Sequence, residues 1–539
     1  MSDSRVHEPV PARLIRGRLG PVGGQASLIA SGTALSENLT PSAPKGKVRR
    51  NRYNGRLGIS NRLEPSSVPG PTVSFVSLGC PKNLVDSEKM LGMLAESGCA
   101  IVGDGGTADV VVVNTCGFLS ASRDEAIGIL RDAADQKKAG EIKRLVVAGC
   151  LVQRDGQGLI AEVPEIDALV GVNNRADIVR AVVGKTTKSK KAGSSKKQTP
   201  AESGGNGRTI FLGEYHPSSW AKDNKSDRSR LRLTPTHYAY LRMSEGCNQK
   251  CTFCTIPSIR GPMHCKTVPE IMAEARELIE DGAVEINLIG QDTTSYGQDI
   301  GYQPGLAGLL GELNKLDGAR WIRLMYAYPS DFTDEMIDAI AANNRIAKYI
   351  DIPLQHISDQ VLKAMHRRVT RKQTEQLLEK LRRKIPGVAI RTTFIAGFPG
   401  ETEDDFVDLC DFVRDFGFDA MGVFPYSSEP GTPAHRMKNA IPGEAIEARV
   451  GALMAIQQEV AFSRAAAMKG RTMEVLIDDF GRGGTYPARH QGQAPDVDSM
   501  VYVEGGEYDP GEFVQVRITG HSDYDLKARP VSMGLPILH

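Results

Sequence analysis

The stretch Gly246-Cys247-Asn248-Gln249-Lys250-Cys251-Thr252-Phe253-Cys254 decides the reading of this chain. It follows directly on an apolar run, His237–Met243, that reads as a strand, so the three cysteines lie on a loop at a strand end. Five more apolar runs follow at regular spacing: Val284–Ile289, Trp321–Met325, Tyr349–Ile352, Ala389–Ile395 and Ala420–Phe424. Helical patterns such as Val268–Asp281 and Glu403–Phe416 separate them. About six βα units imply a partial or full parallel barrel, whose reactive groups belong at the C-terminal strand ends.

Thiolates are the ligands of iron–sulfur clusters, and a three-thiolate set leaves one iron of a 4Fe–4S cluster open. Zinc is the competing reading. It favours four closed ligands with paired CxxC spacing, and here a fourth would have to come from His264 or Cys265. The CxxxCxxC spacing is similar to the signature of the radical S-adenosylmethionine superfamily. That resemblance implies an open iron chelating the amino and carboxylate groups of S-adenosylmethionine, and an electron that splits the sulfonium to a 5′-deoxyadenosyl radical.

Working back towards the N-terminus, three further apolar runs read as strands that alternate with helices. They are Thr72–Leu78, Asp109–Val113 and Arg144–Ala148, with helices over Asn83–Glu96 and Ala121–Lys137. Each strand is followed by a cysteine beside a glycine: Gly79-Cys80, Cys116-Gly117 and Gly149-Cys150. Parallel strands end on one edge of their sheet, where ligands bind, and glycine lets backbone approach a bulky group. Cys80, Cys116 and Cys150 are therefore candidates for a second cluster; three buried apolar cysteines are the alternative. Cys99, Cys265 and Cys410 lack such a setting, and Cys410 falls within an amphipathic helix.

The 539 residues suggest about three domains, with 40% hydrophobic and 24% charged residues, ordinary for a globular protein. Net charge is +1, so the whole-chain balance indicates no partner. No apolar run approaches the roughly 20 residues of a membrane span, and no secretory signal is evident. With nine cysteines outside any disulfide framework, a reducing cytoplasmic setting is expected. The expected division is a disordered basic extension over 1–70, a cluster domain over 71–183 and a Lys/Ser/Gly-rich linker over 184–231. The barrel takes 232–470 and an all-β module 471–539. The extension holds eleven Lys/Arg against four acids, which suits a solvated tail or an arm touching RNA. Gly443–Met468 reads as a long helix closed by Gly470. The period-two strands Met473–Ile477, Met500–Val503 and Phe513–Ile518 then form a small β-barrel.

Longer motifs carry a fuller resemblance. They are Ser77-Leu-Gly-Cys80-Pro-Lys-Asn-Leu-Val-Asp-Ser87, Val113-Asn-Thr-Cys116-Gly-Phe118 and Gly290-Gln-Asp-Thr-Thr-Ser-Tyr-Gly297. Asp351-Ile-Pro-Leu-Gln-His356, Arg391-Thr-Thr-Phe-Ile-Ala-Gly-Phe-Pro-Gly-Glu401 and Tyr426-Ser-Ser-Glu-Pro-Gly-Thr432 add to them. From about Thr72 onward the chain resembles the methylthiotransferases: an N-terminal cluster domain, a radical barrel and a C-terminal TRAM module. Lys82-Asn83 stands where the tRNA-acting branch of that family typically has Met-Asn.

The resemblance implies an α/β enzyme with two 4Fe–4S clusters, on Cys80/Cys116/Cys150 and on Cys247/Cys251/Cys254. It implies insertion of a methylthio group at the β-carbon of an aspartate of small-subunit ribosomal protein S-twelve. One S-adenosylmethionine donates methyl and another is cleaved, while the N-terminal cluster carries sulfur. A C–H bond without acidity calls for radical chemistry. Cluster reduction calls for a low potential (plant-type ferredoxins lie near roughly −400 mV), so a flavodoxin or ferredoxin is an expected partner. Gly290, Gln291, Asp292, Gln355, His356, Arg391 and Thr393 are candidates to border S-adenosylmethionine. Polar groups at strand ends also often only satisfy backbone, and His356 reads equally as a packed neutral histidine. The alternatives are a tRNA methylthiotransferase and, in another class, a non-catalytic iron–sulfur carrier. Over Arg471–His539, eleven acids face six Lys/Arg, which suits a basic protein substrate better than a nucleic acid. An ordinary solvated surface would show the same count.

Overall fold

The computed structural model describes residues 70–103, 107–184, 202–204, 208–215 and 226–531. The basic extension before Gly70 and the lysine cluster at 188–197 lie outside the described residues.

The first sheet has seven strands: β1 (Thr72–Ser77), β2 (Ala100–Ile101), β3 (Val110–Thr115), β4 (Arg144–Gly149), β5 (Ala168–Gly171), β6 (Glu202–Gly204) and β7 (Arg208–Phe211). Their order is β2-β1-β3-β4-β5-β7-β6, parallel except for β6. The four valines of β3 are buried on both faces, as a central parallel strand requires. Val110 and Val112 pack with Met90 and Leu94 of helix α1 (Pro81–Glu96). Val111 and Val113 pack with Ile127 and Leu130 of helix α2 (Ser120–Lys138) on the other face.

Here the expected linker over 184–231 needs correction. Two of its segments, β6 and β7, are strands of this sheet, and Ile210 and Phe211 are buried in its two cores. Arg208-Thr-Ile-Phe is a four-residue strand between β5 and the edge strand β6, too short for its period to stand out from the polar sequence around it.

The second unit contains β8 (Tyr238–Arg242), β9 (Ser244–Glu245), β10 (His264–Cys265), β11 (Glu285–Ile289), β12 (Trp321–Leu324), β13 (Ile346–Asp351), β14 (Ala389–Ala396) and β15 (Ala420–Pro425). Six of these form a parallel sheet ordered β15-β14-β13-β12-β11-β8, open between β15 and β8: a partial barrel. Helices cover its convex face, burying Ile286, Leu288, Ile322, Leu324, Ile350, Ile390 and Phe394. Three of those helices start at Thr267, Thr370 and Thr402 with reciprocal capping boxes to Glu270, Gln373 and Asp405. The concave face is filled by neighbours: Tyr238, Tyr240, Ile289, Met325 and Tyr349 cluster with Leu84 and Val85 of α1 and with Ala494 of the C-terminal module.

That module is a closed barrel of β16 (Thr472–Ile477), β17 (Thr485–His490), β18 (Val501–Glu504), β19 (Phe513–Ser522) and β20 (Asp525–Pro530). Its β17–β18 connection plugs the lower end of the partial barrel. Asp496 accepts from the hydroxyls of Tyr238 and Tyr240, Asp498 lies 3.3 Å from Arg391, and Arg489 pairs with Glu285 at 2.8 Å.

Part of the acid excess read from the sequence is spent inside the chain. Asp478, Asp496 and Asp498 point into the interface with the barrel. Asp479, Glu507, Asp509, Glu512 and Asp523 are exposed, as are Arg471, Arg482, Arg517 and Lys527, while Arg529 pairs with Glu504. Among the described residues, no helix is long and apolar enough to cross a membrane.

Candidate active site: two thiol triads across a domain interface

Strands β1, β3 and β4 are adjacent, and their register pairs Ser77 with Asn114, Asn114 with Ala148 and Thr115 with Gly149. Cys80, Cys116 and Cys150 thus emerge side by side on one sheet edge. Cys80 precedes the first turn of α1, and Cys150 opens the helix Cys150–Asp155. Two glycines make the approach possible. A Cβ on Gly79, at φ +92°, would stand 2.8 Å from the Cys116 Cβ. One on Gly149, at φ +99°, would stand 2.2 Å from Asn114 Oδ1. Asn114 in turn donates to the Asn83 carbonyl at 2.9 Å and to Ser87 at 2.8 Å, tying the strand end to α1.

Burial pushes the Cys150 thiol up to about 12, and the neighbouring thiols of Cys116 and Cys80 add to the rise. Burial and Cys80 likewise raise Cys116. The Arg260 guanidinium opposes both shifts, and its Nη2 lies 3.1 Å from the Cys150 Sγ.

The barrel triad sits on the irregular loop between β9 and the short helix Ile256–Arg260. Cys247 N donates to Gly261 O at 3.2 Å, and Cys254 N to Cys251 O at 3.2 Å. Gln249 Nε2 bridges Asp292 at 2.9 Å and Asp331 at 3.0 Å, which fastens the loop to the ends of β11 and β12. Burial drives Cys247 and Cys254 up to about 12, each raised further by Cys251 and lowered by Arg367. Arg367 lies 3.9 Å from the Cys251 Sγ and stacks 4.1 Å from the Tyr328 ring centroid. Each triad is accompanied by one buried guanidinium.

The candidates for S-adenosylmethionine fall into two groups. Gly290, Gln291 and Asp292 end β11 at the barrel mouth. Lys82 Nζ donates to the Gly290 carbonyl at 3.0 Å, and Gln291 Nε2 donates to Glu245 at 2.9 Å. Asp292 is already bonded by Gln249, Thr294 and Ser295, which makes it a fastener of the cysteine loop. Gln355 holds a left-handed conformation, φ +74°, while its backbone bridges to β14. Thr393 faces the interior of the sheet from β14. Arg391 is committed deeper down, 2.8 Å from Asp351. His356 is buried and accepts from Ser358 N through Nδ1 at 3.0 Å; burial lowers its pKa to about 4, the environment of a packed neutral histidine.

Both sets suit the groups that the resemblance implies. Three thiols meeting at one sheet edge, or on one loop, with a cation beside them match an anionic thiolate cluster. Among the described residues no group of three His, Cys, Asp or Glu closes around a single ion. A four-iron cluster asks for wider thiolate separation than one ion does. At the barrel mouth Ser244 Oγ, Gln291 Oε1 and Thr393 Oγ1 are buried without a hydrogen-bond partner, as expected where a polar cofactor completes the site.

A buried ionic network ties together the elements that carry the two triads. Asp86 of α1 takes Arg175 from its own domain and, from the barrel side, Arg242 at 2.6 Å and Arg260 at 2.9 Å. Arg242 and Arg260 also share Glu245. Lys82 stands 3.3 Å over the Tyr326 ring at the end of β12. No spacing rule marks Arg260, Arg367 or Tyr326, which acquire meaning only when their elements pack.

This architecture defines a radical S-adenosylmethionine enzyme with two flanking modules. The Radical SAM superfamily model matches residues 241–413, the Uncharacterized protein family UPF0004 model residues 72–171, and the TRAM domain model residues 470–531. The fold is similar to that of the radical S-adenosylmethionine methyltransferase TsrM from Kitasatospora setae, with a TM-score of 0.50 at 14% identity over 78% of this chain and 80% of that one. The chain is 42% identical to the ribosomal protein uS12 methylthiotransferase RimO of Anaeromyxobacter sp. (strain K), over 85% of this chain and 92% of that protein. It is 40% identical to that of Trichlorobacter lovleyi, over 86% and 99%, and 40% identical to that of Geobacter sulfurreducens, over 85% and 98%. The chain belongs to the RimO family of ribosomal protein uS12 methylthiotransferases.

Proposed function

We propose that this enzyme inserts a methylthio group at the β-carbon of an aspartate of ribosomal protein uS12, giving 3-methylthioaspartate. The observation that carries the reading is the pair of thiol triads converging from two domains onto one interface, in a chain with close methylthiotransferase relatives. In this reading Cys247, Cys251 and Cys254 hold the radical cluster, and Cys80, Cys116 and Cys150 hold the sulfur-delivering one. When bound, the clusters and S-adenosylmethionine supply the one-electron chemistry that activates an unacidic C–H bond, which no side chain here could do as a base.

The residues of the chain do the rest. Gln249, held by Asp292 and Asp331, orients the cysteine loop over the strand ends. Leu84 and Val85, seated against Ile289 and Met325, close the mouth from the N-terminal side and exclude water. Ser244, Gln291 and Thr393 offer free polar atoms to the nucleoside cofactor. Domain boundaries near 231 and 470, a cytoplasmic location and a low-potential flavodoxin or ferredoxin donor complete the reading.

The test is mass spectrometry of uS12 and of bulk tRNA from a deletion strain. Loss of the methylthio mass from uS12, restored by the intact gene and not by a Cys251→Ala gene, is expected. Retention on uS12 with loss from tRNA would overturn the reading.

A further inference from the structure

Among the described residues, Arg260 is the guanidinium that the barrel domain sends into the N-terminal thiol triad. It leaves the helix that directly follows Cys254. Its side chain is 2% exposed and reaches three groups at once: Asp86 of α1 at 2.9 Å, Glu245 of β9 at 2.8 Å and the Cys150 Sγ at 3.1 Å. Two carboxylates hold the fork from both domains, so its orientation towards the sulfur is set by packing and is not free to relax. The loop that carries one triad therefore also delivers the charge that touches the other.

Adding an electron to a cluster on three thiolates deepens its negative charge. A fixed cation donating to a ligating sulfur favours that reduced form, and hydrogen bonds to sulfur, net charge and burial are the levers that set such potentials. We infer that Arg260 is a positioning residue of the N-terminal cluster: it raises that cluster's reduction potential and makes the value depend on the docking of the barrel domain. This inference rests on the assignment of Cys80, Cys116 and Cys150 as cluster ligands.

The test uses the full-length chain carrying Cys247→Ala, Cys251→Ala and Cys254→Ala, reconstituted with iron and sulfide so that only the N-terminal site can load. Iron content, the EPR spectrum of the dithionite-reduced cluster and a redox titration are read for this parent and for its Arg260→Gln, Arg260→Lys and Arg242→Lys derivatives. Arg242 is the control, since its partners are the carboxylates of Asp86, Asp227 and Glu245. The expected result is a more negative potential and altered g-values for Arg260→Gln, a smaller shift for Arg260→Lys and little change for Arg242→Lys. If Arg260→Gln loses the cluster, Arg260→Lys carries the reading, and an unshifted potential there would overturn the inference. Loss from both, equal shifts in both, or an unshifted Arg260→Gln would overturn it. A parent that binds no iron would instead sink the ligand assignment.

Discussion

The Glu429 carboxylate, on the loop after β15, accepts from the backbone N–H of Ser120 at 2.7 Å and so caps helix α2 of the other domain. Ser120 Oγ donates to the same oxygen at 3.0 Å, and Arg154 pairs with the second oxygen at 2.9 Å. Leu119, at the N-cap position, has no side-chain oxygen to satisfy that orphan donor. The barrel domain supplies the missing acceptor, and with it a favourable charge at the helix N-terminus. Glu429→Ala should destabilise the chain by about 1–3 kcal/mol, since it removes the α2 cap and leaves the partly buried Arg154 to the Gly117 carbonyl and Asp155. Urea unfolding followed by circular dichroism measures the loss. Methylthiolation should fall more than S-adenosylmethionine cleavage, because the sulfur site loses its seat over the barrel.

The two triads should separate by substitution. Cys116→Ala should abolish methylthio insertion and leave 5′-deoxyadenosine formation measurable, whereas Cys251→Ala should abolish both. Chromatography of the nucleoside product alongside mass spectrometry of uS12 reads the two activities. Full sulfur insertion by Cys116→Ala would end the division of labour.

Gly149 offers a backbone test of the same site. At φ +99°, with its Cβ position 2.2 Å from Asn114 Oδ1 and 2.6 Å from the Thr115 carbonyl, alanine has no room without moving β3 or β4. Gly149→Ala should bring iron content down to that of one cluster. An undiminished iron content would show that the strand ends need not be so close.

Acid should weaken the fold through buried histidines. Burial lowers both His356 and His490 to about 4, against 6.5 for an ordinary histidine. The native state then binds fewer protons than the unfolded chain between these values. Stability is full above about pH 6.5 and is lost as pH falls towards 4, by about 2 kcal/mol per histidine at pH 5. Melting temperatures at pH 7 and 5 compare the two conditions, and His356→Gln should remove about half of the difference, His490 keeping the rest.

The C-terminal module should prove a structural part of the barrel. Arg489, buried between Glu285 and Asp478, carries that interface at 2.8 and 2.7 Å. Arg489→Met leaves Glu285 with Arg323 alone and Asp478 without its guanidinium. A loss of about 3–5 kcal/mol is expected in denaturant titration, with cluster absorbance unchanged at low denaturant.

Local pattern was legible in the chain itself. The spacing of Cys247, Cys251 and Cys254, the buried valines of β3 and the apolar runs of β8 and β11 to β15 are properties of neighbouring residues. Strand period and cysteine spacing need nothing distant. The first triad was half legible: each cysteine showed a strand end and a glycine, but their convergence needed the order β1-β3-β4. Tertiary structure alone decided the rest. The short strands β6 and β7 belong to a sheet because an edge of that sheet was available to pair them. Asp496 and Asp498 of the last module became interface groups because Tyr238, Tyr240 and Arg391 lie opposite. Arg260 became a neighbour of Cys150 because two domains dock, and a guanidinium carries no spacing signal for a sulfur 110 residues away. Sequence patterns report the periodicity of a backbone, whereas electrostatic partners depend on distances that only folding sets.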